Sequence, residues 1–93
     1  MNMDISEILA RHISNREMIV YQAVRTEAVT LRCDEYPCAY SILVLRVEDG
    51  AVTESGVVYD VSRDPDKCLW VMDKLIKLCA EPHNAVDIAS DVL

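Results

Sequence analysis

A nine-residue apolar run in the middle of the chain most limits what this sequence can fold into. Residues 39–47 read Ala-Tyr-Ser-Ile-Leu-Val-Leu-Arg-Val, with apolar side chains at odd and even positions, as in a strand that is buried on both faces. Asp49-Gly50 follows and suits the positive φ angles of a two-residue hairpin turn. Residues 51–61 then supply the returning strand. We expect a central strand with helices on one face and a neighbouring subunit as a candidate cover for the other.

Further segments predict the remaining strands and a first helix. Residues 18–24 are rich in β-branched and aromatic side chains and predict a strand, and residues 29–33 are a candidate for a second short strand. Within the returning strand, Ser55-Gly56 predicts a bulge or a break. Residues 4–14 predict a short N-terminal helix, because an acidic cap precedes apolar residues at helical spacing, namely Ile5, Ile8, Leu9 and Ile13.

Two more helices are expected after the sheet. Asp64-Pro65 is a helix start, and residues 65–79 carry an apolar stripe. Glu81-Pro82 ends that helix and starts another over residues 81–93, whose apolar face should pack on the core and consists of Ala85, Val86, Ile88, Ala89, Val92 and Leu93. The sequence therefore predicts one α+β domain over residues 1–93: a short N-terminal helix, an antiparallel meander of three to four strands, and two C-terminal helices packed on the sheet.

The net charge excludes some classes of partner. Sixteen Asp and Glu residues against nine Lys and Arg residues give a formal net charge of −7, and a field of this sign repels nucleic acids. No apolar run reaches the length of a membrane span, and charged residues interrupt the N-terminus where a signal peptide would be apolar. We expect a cytoplasmic protein that binds neither nucleic acid nor membrane.

The four cysteines do not predict a metal centre. Cys68 and Cys79 lie on one predicted helix, about 16 Å apart along its axis, so they cannot form a disulfide with each other, and core thiols are the favoured interpretation. Cys33 and Cys38 are close enough in sequence to meet across a loop. In a reducing cytosol they more often stay free, and a lone pair of cysteines is a weak metal signal. We expect no cofactor.

Trp70 is the first candidate for a functional residue. On the predicted 65–79 helix it lies opposite the apolar stripe, beside Lys74 and Lys77. An exposed tryptophan forgoes roughly 2–3 kcal/mol of burial and often anchors an interface. Binding of a partner or a second copy is one interpretation, cover by a loop or by the N-terminal helix is another, and exposure without a binding role is the third.

The predicted last helix supplies a second candidate surface. His83, Asp87 and Asp91 are spaced by four and form a column on one helix face, which suits a docking stripe or part of a metal site. A solvated helix face is the simpler interpretation. Asp64 and Asp66 near the other helix start are explained as a cap and a first-turn acid, whereas Asp60 has no such explanation.

The second half of the chain resembles a small bacterial family known only as a domain of unknown function. The resemblance covers residues 40–93 and rests on the order of its features along the chain. A strand that begins with the aromatic Tyr40 is followed by the Asp49-Gly50 turn and by a strand that leads into a helix over residues 58–64. The chain then closes with Pro82-His83, Asp87-Ile88 and residues 91–93. The chain departs from the family pattern at Glu81, where relatives have Thr or Ser before the proline, and at Ser41, where they have Gly after the tyrosine. The resemblance implies a compact α+β fold and no activity.

No catalytic arrangement is evident, since the two histidines lie on different predicted helices and only two glycines are present. We therefore expect a protein-interaction or regulatory module without catalytic activity, forming a homodimer and binding a protein partner still to be identified. The expected binding residues are Trp70, Lys74, Lys77, His83, Asp87 and Asp91. The alternative is a metal- or small-ligand-binding protein that uses the C-terminal His/Asp face with Asp60. A third option is an acidic mimic of nucleic acid.

Overall fold

Four consecutive strands form one antiparallel sheet, and two helices follow it. The computed structural model describes residues 5–14, 18–27 and 38–92. In chain order the elements are β1 (Ile5–Ser14), β2 (Ile19–Glu27), β3 (Cys38–Glu48), β4 (Ala51–Ser62), α1 (Pro65–Lys77) and α2 (Ala85–Val92). The strands lie side by side in chain order. The predicted α+β class, the antiparallel meander and the two C-terminal helices are confirmed; the candidate strand at residues 29–33 lies outside the described residues.

The β3–β4 hairpin has the predicted turn. Asp49 and Gly50 have φ angles of 52° and 80°, the sign that a two-residue hairpin turn requires at both positions. The bulge predicted at Ser55-Gly56 is wrong, because Gly56 pairs in regular register with Val44. The register shifts lie instead on either side of this stretch, between Tyr40 and Ile42 and between Arg46 and Val47.

The predicted N-terminal helix is wrong, because residues 5–14 form the edge strand β1. This strand pairs antiparallel with β2 and has two register shifts, between Ile5 and Glu7 and between Ile8 and Ala10. Such irregularities interrupt the alternation of a regular strand. The apolar residues of β1 therefore recur at intervals of three and four, which imitates a helix. Pairing with β2 also satisfies backbone groups that β2 would otherwise expose at its edge.

One face of the sheet carries the helices and the core. Because side chains alternate along a strand, Tyr21 and Ala23 of β2 share a face with Ile42 and Val44 of β3, and all four are buried in one cluster with residues of both helices. Helix α1 crosses β2, β3 and β4, whereas α2 packs beside it on β4. The helical members of the buried cluster are Cys68, Val71, Met72, Leu75, Ala85 and Ala89.

Both ends of α1 are fixed by identifiable groups. The Asp64 side chain accepts a hydrogen bond from the amide of Asp66 and Pro65 is the first helical residue, so the predicted start is confirmed. The helix ends at Lys77 rather than at residue 79. Cys79 has a φ of 52°, and the amides of Cys79 and Ala80 donate to the carbonyls of Ile76 and Leu75, which is the hydrogen-bond pattern of a Schellman motif.

The last helix begins four residues later than predicted. Residues 81–84 form a turn in which the Glu81 amide donates to Asn84 Oδ1 over 2.8 Å, and the Asn84 amide donates to the Glu81 carbonyl. The Asn84 carbonyl accepts from the Ile88 amide as the first bond of α2. Ala85 and Ala89 are buried as expected. Val86 is exposed, so its predicted place on the apolar face is wrong.

The opposite face of the sheet carries no helix among the described residues. By alternation and cross-strand pairing, its apolar side chains lie on all four strands and none of them belongs to the core cluster. We call this surface the open sheet face: Ile13, Val20, Leu43, Leu45, Val47, Val52 and Val57. Towards the other end of the same face, Val24 and Ser41 are fully buried.

Neither of the two helices in the described part of the chain is long and apolar enough to cross a membrane.

Candidate functional site

Trp70 lies on the outer side of α1 and keeps 44% of its surface exposed. Two ammonium groups flank its ring: Lys67 Nζ is 4.4 Å and Lys74 Nζ is 5.2 Å from the ring centroid. The three residues are spaced by three and four, which places them side by side on the helix surface. Within 6 Å of an aromatic ring such cations interact favourably with its face. We call Trp70, Lys67 and Lys74 the Trp70 patch.

Lys77 stands apart from this patch. Its ammonium group forms an ion pair of 2.9 Å with Asp73, one helical turn earlier. Both side chains are largely exposed, and such pairs contribute about 0.3–0.5 kcal/mol. Lys77 was predicted as a partner-binding residue, whereas Lys67 was not. Lys67 precedes Trp70 by three residues and Lys74 follows it by four. Both spacings make side chains neighbours on a helix, so the sequence contained the signal for Lys67 as well.

An ion cluster that the sequence did not predict joins the sheet to the turn before α2. The Arg46 guanidinium, on β3, forms a 2.5 Å hydrogen bond with Glu81 and lies 3.8 Å from Glu54 on β4. The hydrogen bond to Glu81 raises the pKa of Arg46, and the negative charges of Glu81, Glu54 and Glu48 add to this against a lowering by partial burial. One hint was available: Arg46 is the single charged residue in the apolar run of residues 39–47.

His83 belongs to this cluster and not to the last helix. Its Nδ1 lies 3.7 Å from Glu54 Oε1, and its Nε2 lies 3.6 Å from Glu81 Oε2. Because α2 begins at Ala85, His83 lies before the helix, and the predicted column of His83, Asp87 and Asp91 along one helix face is wrong. Asp87 and Asp91 remain exposed on α2, so the acidic surface of that helix exists without the histidine in line.

Close packing fixes the turn that carries His83. The Tyr21 hydroxyl, buried in the core, donates to the Ala80 carbonyl over 2.7 Å. A β-carbon on Gly56 would lie 2.1 Å from the Pro82 carbonyl oxygen. Gly56 is therefore required because the turn passes directly over β4 at this point.

The acidic residues near the start of α1 have structural roles. Asp64 caps the helix and Asp66 lies in its first turn, as expected. Asp60 has a φ of 48°, at the register shift of β4, and its amide donates to Ser41 Oγ over 2.9 Å. Asp60 therefore lies at a bend in the strand.

The described thiols differ from each other. Cys68 is fully buried, and burial raises the pKa of its thiol to about 12, so the predicted core role is confirmed. Cys79 is exposed, so its predicted core role is wrong. Cys79 lies after the end of α1 and takes the left-handed conformation of the turn that terminates the helix.

Within residues 5–14, 18–27 and 38–92, no three histidine, cysteine or acidic side chains are grouped as a metal site would require. In the cluster around His83, the Arg46 guanidinium already occupies the carboxylates of Glu54 and Glu81.

Comparison with known proteins adds no relative. No family model, no curated protein and no solved structure matches this chain. The resemblance to a bacterial domain of unknown function therefore stays a prediction.

Proposed function

We propose that this domain is a non-catalytic protein-interaction module that binds a protein partner through the Trp70 patch. The observation that carries the proposal is a half-exposed tryptophan whose ring is lined by two lysine ammonium groups. Tryptophan is enriched among the residues that anchor protein interfaces. Burying the remaining surface of Trp70 would contribute about 2–3 kcal/mol to binding.

The charge of the patch indicates the chemistry of the partner. Lys67 and Lys74 form no ion pair at 4 Å or less among the described residues, and their ammonium groups are held near the ring. A segment with an apolar side chain for Trp70 and carboxylates for the two lysines would complement this surface. We therefore expect a partner with an acidic, partly apolar segment and binding that weakens as salt is raised.

The acidic surface of α2 is a second contact in this proposal. Asp87 and Asp91 are exposed there, and His83 lies beside the helix start. An acidic side chain near the C-terminal end of a helix is unfavourable by about 0.3–1 kcal/mol. Basic groups of a partner docked beside Asp91 would offset this cost, which supports a binding role for this end of α2.

The test is a quantitative pull-down from a lysate of the native host, with Trp70→Ala compared with Leu78→Ala. Leu78 is a matched control because it follows the same helix and is 56% exposed. The proposal predicts that a specific partner is retained by the wild type and by Leu78→Ala, and that Trp70→Ala loses it with a folded circular dichroism spectrum. Equal retention by both variants would contradict it.

The alternative, a metal or small ligand held by the C-terminal His/Asp face, has its own test. Because the Arg46 guanidinium already pairs with Glu54 and Glu81, the carboxylates beside His83, we expect Zn²⁺, Mn²⁺ and Mg²⁺ to change the melting temperature by less than about 1 °C, as measured by thermal shift. A rise of several degrees that disappears in His83→Ala would favour the alternative.

A further inference from the structure

The open sheet face has the composition of an interface. Three adjacent rows of side chains cross the strands on it: Val47 with Val52, then Ile13 with Val20 and Leu45, then Leu43 with Val57. Ile13 and Val52, on the two edge strands, are 53% and 56% exposed. The face is therefore apolar from one edge of the sheet to the other.

Among the described residues, this face carries little charge although the chain is strongly acidic. The polar side chains that alternate among its described apolar residues are Arg11, Gln22, Ser41 and Ser55, and the Arg11 guanidinium donates to Gln22 Oε1 over 3.1 Å. No carboxylate lies among these described side chains, whereas the whole chain has sixteen acidic residues. A surface without carboxylates is where two molecules of net charge −7 meet with least repulsion.

We infer that the open sheet face binds the open sheet face of a second copy of this chain, sheet against sheet. Two sheets that pack face to face align their strands to within about 30° and lie about 10 Å apart. Consider a two-fold axis that lies between the two sheets, parallel to the strands and above the gap between β2 and β3. It places β1 of one copy over β4 of the other. Ile13 on β1 of each copy then lies over the edge strand that carries Val52 in the other copy, so the same surface is used on both copies.

The area suits a dimer that dissociates readily. Four strands at about 4.8 Å spacing and five residues at about 3.4 Å rise cover about 330 Å² on each copy. A pair then buries about 650 Å², which is below the roughly 1,000 Å² of a stable specific interface. We therefore expect a weak dimer that forms only at high protein concentration. This interface is separate from the Trp70 patch, which lies on the helix side of the sheet.

Sedimentation velocity on the full chain, over a concentration series of roughly 1–500 µM, tests this inference. The mass should rise from that of a 10.5 kDa monomer towards twice that value. Added salt should strengthen the dimer, because it screens the repulsion between two acidic chains without weakening apolar contact. Ile13→Glu and Val52→Glu should each raise the dissociation constant by about tenfold or more, because each buries a carboxylate.

Two substitutions on the helix side are matched controls. Leu78→Glu and Val86→Glu make the same chemical change at residues that are 56% and 51% exposed, and both should leave the dimer intact. Three results would overturn the inference: a wild-type monomer at every concentration, a dimer that both open-face variants retain, or a dimer lost in the control variants. The partner pull-down with Trp70→Ala reports on the other surface, so either proposal can fail without the other.

Discussion

At the scale of single residues, Cys79 occupies a backbone conformation that favours glycine. Its φ of 52° belongs to the left-handed region, and its side chain is exposed, so the β-carbon costs energy without packing in return. We predict that Cys79→Gly raises the free energy of unfolding by about 0.5–1 kcal/mol, as measured by urea denaturation. Cys79→Ala is the control, because it keeps the β-carbon and should leave stability nearly unchanged. A destabilised glycine variant would contradict this account of the turn.

Gly56 shows the opposite requirement, for space rather than for conformation. A β-carbon there would collide with the Pro82 backbone, at 2.1 Å from its oxygen, and neither segment can yield without separating the turn from β4. Gly56→Ala should therefore lower the free energy of unfolding by about 2 kcal/mol or more.

The control for that prediction is Gly50→Ala in the hairpin turn. Gly50 has a φ of 80°, and a β-carbon added there would meet no other atom within 4 Å, so only backbone strain of about 1–2 kcal/mol is expected. Urea denaturation of both variants gives the comparison. A Gly56→Ala variant that is less affected than Gly50→Ala would show that the turn does not pass over β4 as described.

At the scale of elements, the burial of α1 against the sheet has a consequence for pH. The pKa of Cys68 is about 12 in the folded chain against an ordinary value of 9.0. Well below pH 9 the thiol is neutral in both states and its full contribution to stability is present. Between pH 9 and 12 the unfolded chain loses the proton first, so the free energy of unfolding falls, by at most about 1.4 kcal/mol per pH unit.

We therefore predict that Cys68→Ala makes stability depend less steeply on pH above 9, whatever it does to stability at neutral pH. Urea denaturation at pH 8.5 and at pH 10.5 measures the slope. Cys79→Ala is the control, because it removes an exposed thiol instead of the buried one. An unchanged slope in Cys68→Ala would show that the Cys68 thiol is not the group whose loss of a proton lowers the free energy of unfolding above pH 9.

Local signals predicted the elements whose patterns are undisturbed. The apolar run of β3, the Asp49-Gly50 turn and the Asp64-Pro65 helix start each depend on neighbours in sequence, and each is confirmed. The edge strand β1 was mistaken for a helix because two register shifts break its alternation. Its apolar residues also serve two faces: Leu9 packs on the core, while Ile13 lies on the open sheet face.

The candidate site likewise contains features that the sequence predicted and features that it did not. Helical spacing placed Lys74 beside Trp70, on the side of the helix away from the apolar stripe, but it left open whether the ring is exposed or covered by another segment. The cluster of Arg46, Glu54, Glu81 and His83 joins two strands and a turn, and sequence spacing carries no information about such long-range contacts. The start of α2 was placed too early because Pro82 suits a turn as well as a first helical position.

At the scale of the whole molecule, the two layers leave two different surfaces for association. The helix side presents the Trp70 patch and the acidic surface of α2, and the other side presents the open sheet face. In this account the open face joins two copies, and the Trp70 patch of each copy binds the partner. A dimer would then display two identical patches, and a partner with two acidic segments would bind it more tightly than a monomer.

The most direct test of the interaction proposal uses the single tryptophan of the chain. With the domain labelled with ¹⁵N and the captured partner unlabelled, the Trp70 indole gives the only tryptophan side-chain signal in the spectrum. The account predicts that this signal shifts or broadens as the partner is added, and that it returns towards its free position as salt is raised. An indole signal that stays unchanged while backbone signals elsewhere show that the partner is bound would contradict it.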